Sequence, residues 1–307
     1  MQVFTFTAPT PGPHLLITAG VHGDEFEPIR AVQLLAERFS GSEPGSADAT
    51  LPPGFTGQLT LVPCVNEAAF LRGSRFADDD LDLARTCPGD ASGSITERTA
   101  AELSELIRSA DYYIDLHTGG TEFSLYPLAG YMLHKDPQVL EVQRRMAAAF
   151  NLPVVWGTSG DLDGRSLSVA RDAGVPAIYC EYGGAATMSK DGVNAYVDGC
   201  LQVMRELGML NVEPPASEVA HIVEDDRTAS GHLQVCNPSP VTGLFVPDVS
   251  LGDIVTAGQP LGTVHELDHL GSTTIAAQTN GLVLMLRTFP RVHKGESVGV
   301  VLEVDAP

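Results

Sequence analysis

Two apolar segments of this 307-residue chain run straight into side chains that ligate metals. Leu15, Leu16, Ile17, Thr18 and Ala19 lead through Gly20 and Val21 to His22, Gly23, Asp24 and Glu25, while Tyr112, Tyr113, Ile114, Asp115 and Leu116 lead to His117, Thr118, Gly119 and Gly120. His22, Glu25 and His117 together offer two imidazoles and one carboxylate, the protein share of a catalytic zinc site whose fourth position is left to water. The spacing His-x-x-Glu recurs at His221 to Glu224 and His293 to Glu296. Only the first copy follows an apolar strand and opens a helix at Phe26, so its two ligands can project from one tight turn. The other two lie in a linker and a β-rich segment and read as surface residues. His265, Glu266 and His269 match the HExxH pattern of zinc proteases, but that chemistry needs both imidazoles on one face of a continuous helix. The glycine- and β-branched-rich flanks, 261–264 and 270–275, predict a hairpin loop there instead.

Asp115 stands two residues before His117, on the same face of a strand, where its carboxylate can support the imidazole from behind. A third apolar run, Ala177, Ile178, Tyr179 and Cys180, ends on Glu181. A buried carboxylate needs a partner; metal-bound water is one reading and an arginine salt bridge the other.

Strands are predicted at 14–21, 59–65, 112–117, 153–156 and 177–181, and helices at 26–39, 95–109, 136–150, 164–173 and 191–208. This alternation implies an α/β fold, a mixed or mostly parallel sheet flanked by helices, with reactive residues at strand C-terminal ends. The stretch 40–57, rich in Gly, Ser, Pro and Ala, reads as a flexible connection. A second break at 211–217 divides a catalytic domain, 1–212, from a small C-terminal all-β sandwich or barrel, 213–307, in which glycines punctuate short β runs. Its wording resembles the hammerhead domains that carry biotin or lipoate. No lysine lies between 191 and 293, so a swinging-arm role is not expected.

The formal charge of −21 comes from scattered acids, 39 against 18 basic residues, which excludes nucleic acid as an expected partner. The first residues lack the pattern of a secretion signal, and no apolar run approaches the roughly 20 residues of a membrane span. Five widely spaced cysteines without a CxxC pair fit reduced thiols in a cytoplasm. A homo-oligomer is compatible with all of this.

In order, the motifs His22 to Glu25, Asn66 to Phe70, Arg75, Asp82 to Gly89, Asp115 to Gly119 and Glu181 to Gly184 resemble the succinylglutamate desuccinylase and aspartoacylase family, within the zinc carboxypeptidase superfamily. The resemblance covers about 14–210, and the small β domain also fits the family plan. It implies one Zn2+ per chain, held by His22, Glu25 and His117, with Glu181 as the general base. It further implies that Arg75 polarises the scissile carbonyl or holds a substrate carboxylate, and that Arg85, Asn66 and Arg165 contribute to substrate binding. The expected activity is hydrolysis of the amide of a small N-acyl amino acid or related amine. Two alternatives stand beside it: a metallocarboxypeptidase acting on peptides, and a non-catalytic binding protein on the same scaffold. The sequence departs from the family pattern at Ala84, where an asparagine is usual, and at Glu67, where a proline is usual.

Overall fold

The computed structural model describes residues 1–41, 51–228, 230–233, 236–267 and 270–304. Most of the predicted connection 40–57 therefore lies outside the described residues. The N-terminal two thirds run β1 (Phe4–Thr7), β2 (His14–Ala19), α1 (Phe26–Phe39), β3 (Gln58–Val62), α2 (Glu67–Arg72), a 3-10 turn (Leu83–Arg85), α3 (Ile95–Ser109) and β4 (Tyr112–His117). They continue with β5 (Phe123–Met132), α4 (Pro137–Phe150), β6 (Val154–Thr158), α5 (Ser166–Ala173), β7 (Ala177–Gly184) and α6 (Lys190–Glu206). The remainder is β8 (His221–Glu224), β9 (Gly243–Pro247), β10 (Ile254–Val255), β11 (Pro260–Glu266), β12 (Ser272–Ala276), β13 (Gly281–Arg287), β14 (Arg291–Val292) and β15 (Gly299–Leu302).

Local chemistry sets the element ends. Ser94 and Glu97 form a reciprocal capping box at the start of α3, the Ser94 hydroxyl accepting from Glu97 N and the Glu97 carboxylate from Ser94 N at 2.7 Å. Asp136 caps α4 ahead of Pro137, whose missing N–H is no loss in a first turn. Gly174 ends α5 in the left-handed region that releases a helix at little strain.

The central sheet is mixed. β2, β3, β4 and β7 are mutually parallel in the order β3-β2-β4-β7, β1 adds antiparallel outside β3, and β5 runs antiparallel to β7. Beyond β5 the sheet forks: β13 pairs with its first residues, and β6 with its last. One face packs on α1, α4 and α6 through Leu35, Phe39, Phe150, Tyr196 and Met204; the other packs on α3 and α5 through Leu103, Ile107, Leu167 and Ala170. Each large apolar side chain so buried contributes about 1.5–3 kcal/mol.

The C-terminal segment is shared between two sheets. β9, β11, β12 and β14 build a separate antiparallel sheet in the order β12-β11-β9-β14, as the expected small β unit requires. β10, β13 and β15 instead extend the large sheet; every residue of β13 is buried, and backbone groups shut away from water need partners on neighbouring strands. β8 also joins the large sheet, parallel to β6 at the far edge.

That edge is tied down by Glu224. It accepts from Arg144 Nε at 2.7 Å and Nη2 at 2.8 Å on α4, and from the Tyr131 hydroxyl at 2.7 Å on β5. The Arg144 contacts hold its carboxyl below the ordinary carboxylate range, with burial opposing and Tyr131 assisting. A carboxyl lowered by folding contributes stability above its unfolded value and loses it as pH falls through the lowered one. Glu224→Gln should therefore destabilise the fold by about 0.5–1 kcal/mol at neutral pH, given the partial exposure of the pair. The gap between variant and wild type in urea titrations should close as pH falls through the lowered carboxyl value; a gap independent of pH would refute the assignment.

Candidate metal centre

His22 and Glu25 leave β2 in a tight turn before α1, and His117 ends the neighbouring strand β4. The turn is as tight as it is because α2 packs directly on it: a Cβ at Gly23 would lie 2.1 Å from the carbonyl carbon of Ala69. Only glycine fits that approach. Asp24 closes the turn from the other side, its Oδ2 accepting from Thr121 N at 2.7 Å in the loop after β4.

The ligating atoms of His22, Glu25 and His117 all lie within 4.8 Å of one another. Glu25 is buried and faces both imidazoles, its Oε1 2.6 Å from His22 Nδ1 and its Oε2 3.1 Å from His117 Nδ1. The opposite ring nitrogens are also engaged: His22 Nε2 lies 3.2 Å from Asp82 Oδ1, and His117 Nε2 lies 3.1 Å from Asp115 Oδ2. Each Nε2–H donating to a carboxylate leaves the Nδ1 lone pair turned toward Glu25. Two lone pairs and a carboxylate at these distances repel one another unless positive charge sits among them. The donor set therefore fits a divalent cation, and two imidazoles with one carboxylate suit zinc.

The same demand for positive charge shows in how these groups hold protons. Burial alone would raise the Glu25 carboxyl, but His22 and His117 outweigh it and hold it well below the ordinary range. Burial likewise disfavours charge on His117, and Asp115 and Glu25 overcome it to push the imidazole well up. Asp115 is fully buried, accepting from Thr18 Oγ1 at 2.8 Å and from the Ser166 hydroxyl on α5.

Strand register brings Glu181 to the cluster, since β4 and β7 pair His117 with Glu181 and Asp115 with Tyr179. Burial pushes the Glu181 carboxyl up to about 8, against the pull of His117. Its Oε2 is buried without a hydrogen-bond partner among the described residues. The cluster opens into a cavity of about 750 Å³, within the usual range for small-molecule sites.

Arg75 and Arg85 both line that cavity. Arg75 donates to Asp82 Oδ2 from Nε at 3.2 Å and Nη2 at 3.0 Å, so Asp82 joins Arg75 to His22. Arg85 donates to the Ala84 carbonyl at 2.7 Å. Arg165 lines it too, pushed down to about 10 by burial and then by neighbouring Arg85. Asn66 does not reach the cavity. It is buried at the start of α2, where its Oδ1 accepts from Ala69 N at 3.1 Å and caps the helix.

The other His-x-x-Glu pairs stay apart from this site. His221 and Glu224 form β8, Glu296 accepts from His293 N in a surface turn, and His265 ends β11 in a hairpin with β12. Asp268 and His269 lie outside the described residues. Among the described residues no second cluster of three ligands occurs. Asp82 and Tyr179 were not singled out from sequence; Tyr179 stands two residues before Glu181, so strand alternation was the available signal.

A mixed sheet with a His, Glu, His cluster at its strand ends is a scaffold of the zinc-carboxypeptidase-like kind. The chain belongs to the succinylglutamate desuccinylase/aspartoacylase family, whose catalytic domain matches residues 11–207. It is 31% identical to the N-alpha-acetyl-L-2,4-diaminobutyric acid deacetylase of Halomonas elongata, over 95% of this chain and 83% of that one. Among solved structures, a succinylglutamate desuccinylase/aspartoacylase from Rhodobacter sphaeroides superposes with a TM-score of 0.85 at 25% identity, covering 98% of this chain and 89% of the other. The product-bound ectoine utilization protein EutE (DoeB) of Ruegeria pomeroyi gives 0.85 at 27% identity, over 97% and 87%.

Loss of the carboxylate behind an imidazole ligand weakens metal binding by about 10–100-fold. Asp115→Asn should lower Zn2+ affinity by that factor in competition with a chromogenic chelator. Unchanged affinity in a folded variant would remove Asp115 from the site.

Proposed function

We propose that the chain is a zinc-dependent deacylase that hydrolyses the amide of a small N-acyl amino acid. The observation that carries this reading is Glu181: a buried carboxylate with an unpartnered oxygen, set beside His117 at the floor of a cavity sized for a small molecule. His22, Glu25 and His117 hold the ion. When bound there, Zn2+ supplies a Lewis acid and acidifies water.

Glu181 takes the proton of the attacking water and later passes it to the leaving amine, a task its raised pKa suits. Arg75, oriented by Asp82, donates to the oxygen of the scissile carbonyl as negative charge develops. Arg85 and Arg165 offer guanidinium groups to the substrate carboxylate. Residues 1–212 form the catalytic domain in this reading. Residues 213–307 complete the cavity wall with Gly231, His232, Leu233, Met285, Phe289 and Arg291.

The Halomonas relative supplies a first substrate to try, N-alpha-acetyl-L-2,4-diaminobutyrate. A panel should set it beside acetyl, succinyl and longer acyl derivatives of other amino acids and beside short peptides. Turnover is expected on N-acyl amino acids; turnover of peptides alone would favour a carboxypeptidase. Glu181→Gln should lower kcat by about 10²–10⁴-fold with one zinc per chain retained. Near-wild-type turnover by that variant would sink the general-base assignment.

A further inference from the structure

One polar side chain in the cavity has no part in the scheme above. Tyr179 lies on β7 with its side chain on the same face as Glu181, two residues on. Sheet register places it in one row with Thr18 and Asp115 on the β2 and β4 side and Gly130 on the β5 side. Thr18 and Asp115 are fully buried and bonded to one another. Tyr179 is only partly buried and lines the cavity, and its hydroxyl makes no hydrogen bond among the described residues.

Gly130 makes this placement possible. A Cβ there would lie 2.2 Å from the ring carbon bearing the hydroxyl and 2.5 Å from the hydroxyl oxygen itself. The phenol ring thus rests on bare backbone, and any larger residue at 130 would drive it from its seat. The charged side chains that act on its phenol are Glu181 and Arg165, and all three line the cavity. On the deacylase reading Glu181 serves the reacting bond and Arg165 attracts an anion. In an N-acyl amino acid the carboxylate and the scissile amide are separated by a single carbon, so a group near both residues is within reach of the carboxylate.

We propose that Tyr179 is a substrate-contacting specificity residue, whose hydroxyl, seated over Gly130 and sharing the cavity with Arg165 and Glu181, donates a hydrogen bond to the carboxylate of the acylated amino acid. This rests on the deacylase reading above. Burial, then Glu181, raises the phenol above its ordinary range, so it remains a donor at neutral pH. Together with Arg165 it favours a substrate with a free carboxylate over the same molecule as a carboxamide.

The test compares wild type with Tyr179→Phe, which removes one oxygen and leaves the ring on Gly130. On the best substrate of the panel, KM should rise about tenfold, the equivalent of about 1.4 kcal/mol, with kcat within threefold and zinc content unchanged. On the matching carboxamide the variant and wild type should have equal KM. In a double-mutant cycle with Arg165→Gln, the two losses should fall short of additive, as expected for groups that share one partner. KM within twofold of wild type, or an equal loss on the carboxamide, overturns the proposal.

Calorimetric titration with the free amino acid released from each panel compound reads the same contact without turnover. Weaker binding by Tyr179→Phe upholds the contact even if the wild type proves inactive, in which case only the hydrolase reading fails. Equal binding overturns the contact whether or not the wild type is active.

Discussion

The structure depends on a buried carboxylate set between two imidazoles. Glu25 faces His22 Nδ1 and His117 Nδ1, and each imidazole is backed by a further carboxylate, Asp82 or Asp115. Three carboxylates converging on two histidines leave an excess of negative charge in a place with little water. Isolated buried charges of one sign are too costly to persist, so the arrangement is stable only around positive charge. That requirement explains why the surrounding groups are so fully engaged. Thr18 and Ser166 bind Asp115, Arg75 and Ala84 N bind Asp82, and the Tyr196 hydroxyl donates to the His117 carbonyl.

The sheet meets this demand through the direction of its strands. β2, β4 and β7 run parallel, so their C-terminal ends, carrying His22, His117 and Glu181, open on one side of the sheet. β5 runs the other way, which brings the small residue Gly130 beside Tyr179 and carries the chain back past the cavity. Its early residues then accept β13, so the C-terminal segment docks by backbone hydrogen bonds rather than by side chains alone. Arg287 at the end of β13 reinforces that joint, buried with its guanidinium 4.7 Å from the Phe123 ring centroid.

Much of this was legible in the sequence, and the exceptions share a cause. The five predicted strands and five predicted helices all form, with ends shifted by a few residues, because their signals are local: alternation, amphipathic periodicity and caps. The His22, Glu25 and His117 cluster was legible for the same reason, each ligand closing an apolar strand or opening a helix. β5 was not. Pro127 and Gly130 interrupt its pattern, and the proline falls where the β5–β7 register shifts between Leu125 and Leu128, the irregular position at which a strand tolerates it. The merging of β13 into the large sheet was equally hidden, since pairing between residues more than 150 apart leaves no trace in local pattern. Asp82 and Tyr179 acquire their roles from contacts outside their local pattern, Asp82 with His22 and Tyr179 with Gly130, whereas Asn66 carried a motif and holds a helix end.

The candidate metal ligands and much of the remaining cavity wall come from different parts of the chain. Every candidate ligand and its backing carboxylate lies before residue 120. Tyr179, His232, Met285 and Phe289 join the cavity lining from beyond residue 120, and Ala84 joins it beside Asp82, to which its N–H donates at 2.9 Å. His232 illustrates how such a wall tunes charge. Burial, then Arg85 and Arg165, lowers its pKa, so near neutral pH it stands beside the two guanidinium groups without adding a third positive charge. On the proposed reading, the anionic end of a substrate meets the two guanidinium groups and the phenol of Tyr179. Ala84 contributes only a methyl group to the lining. On the proposed deacylase reading, selectivity rests on the shape and hydrogen bonding of this wall.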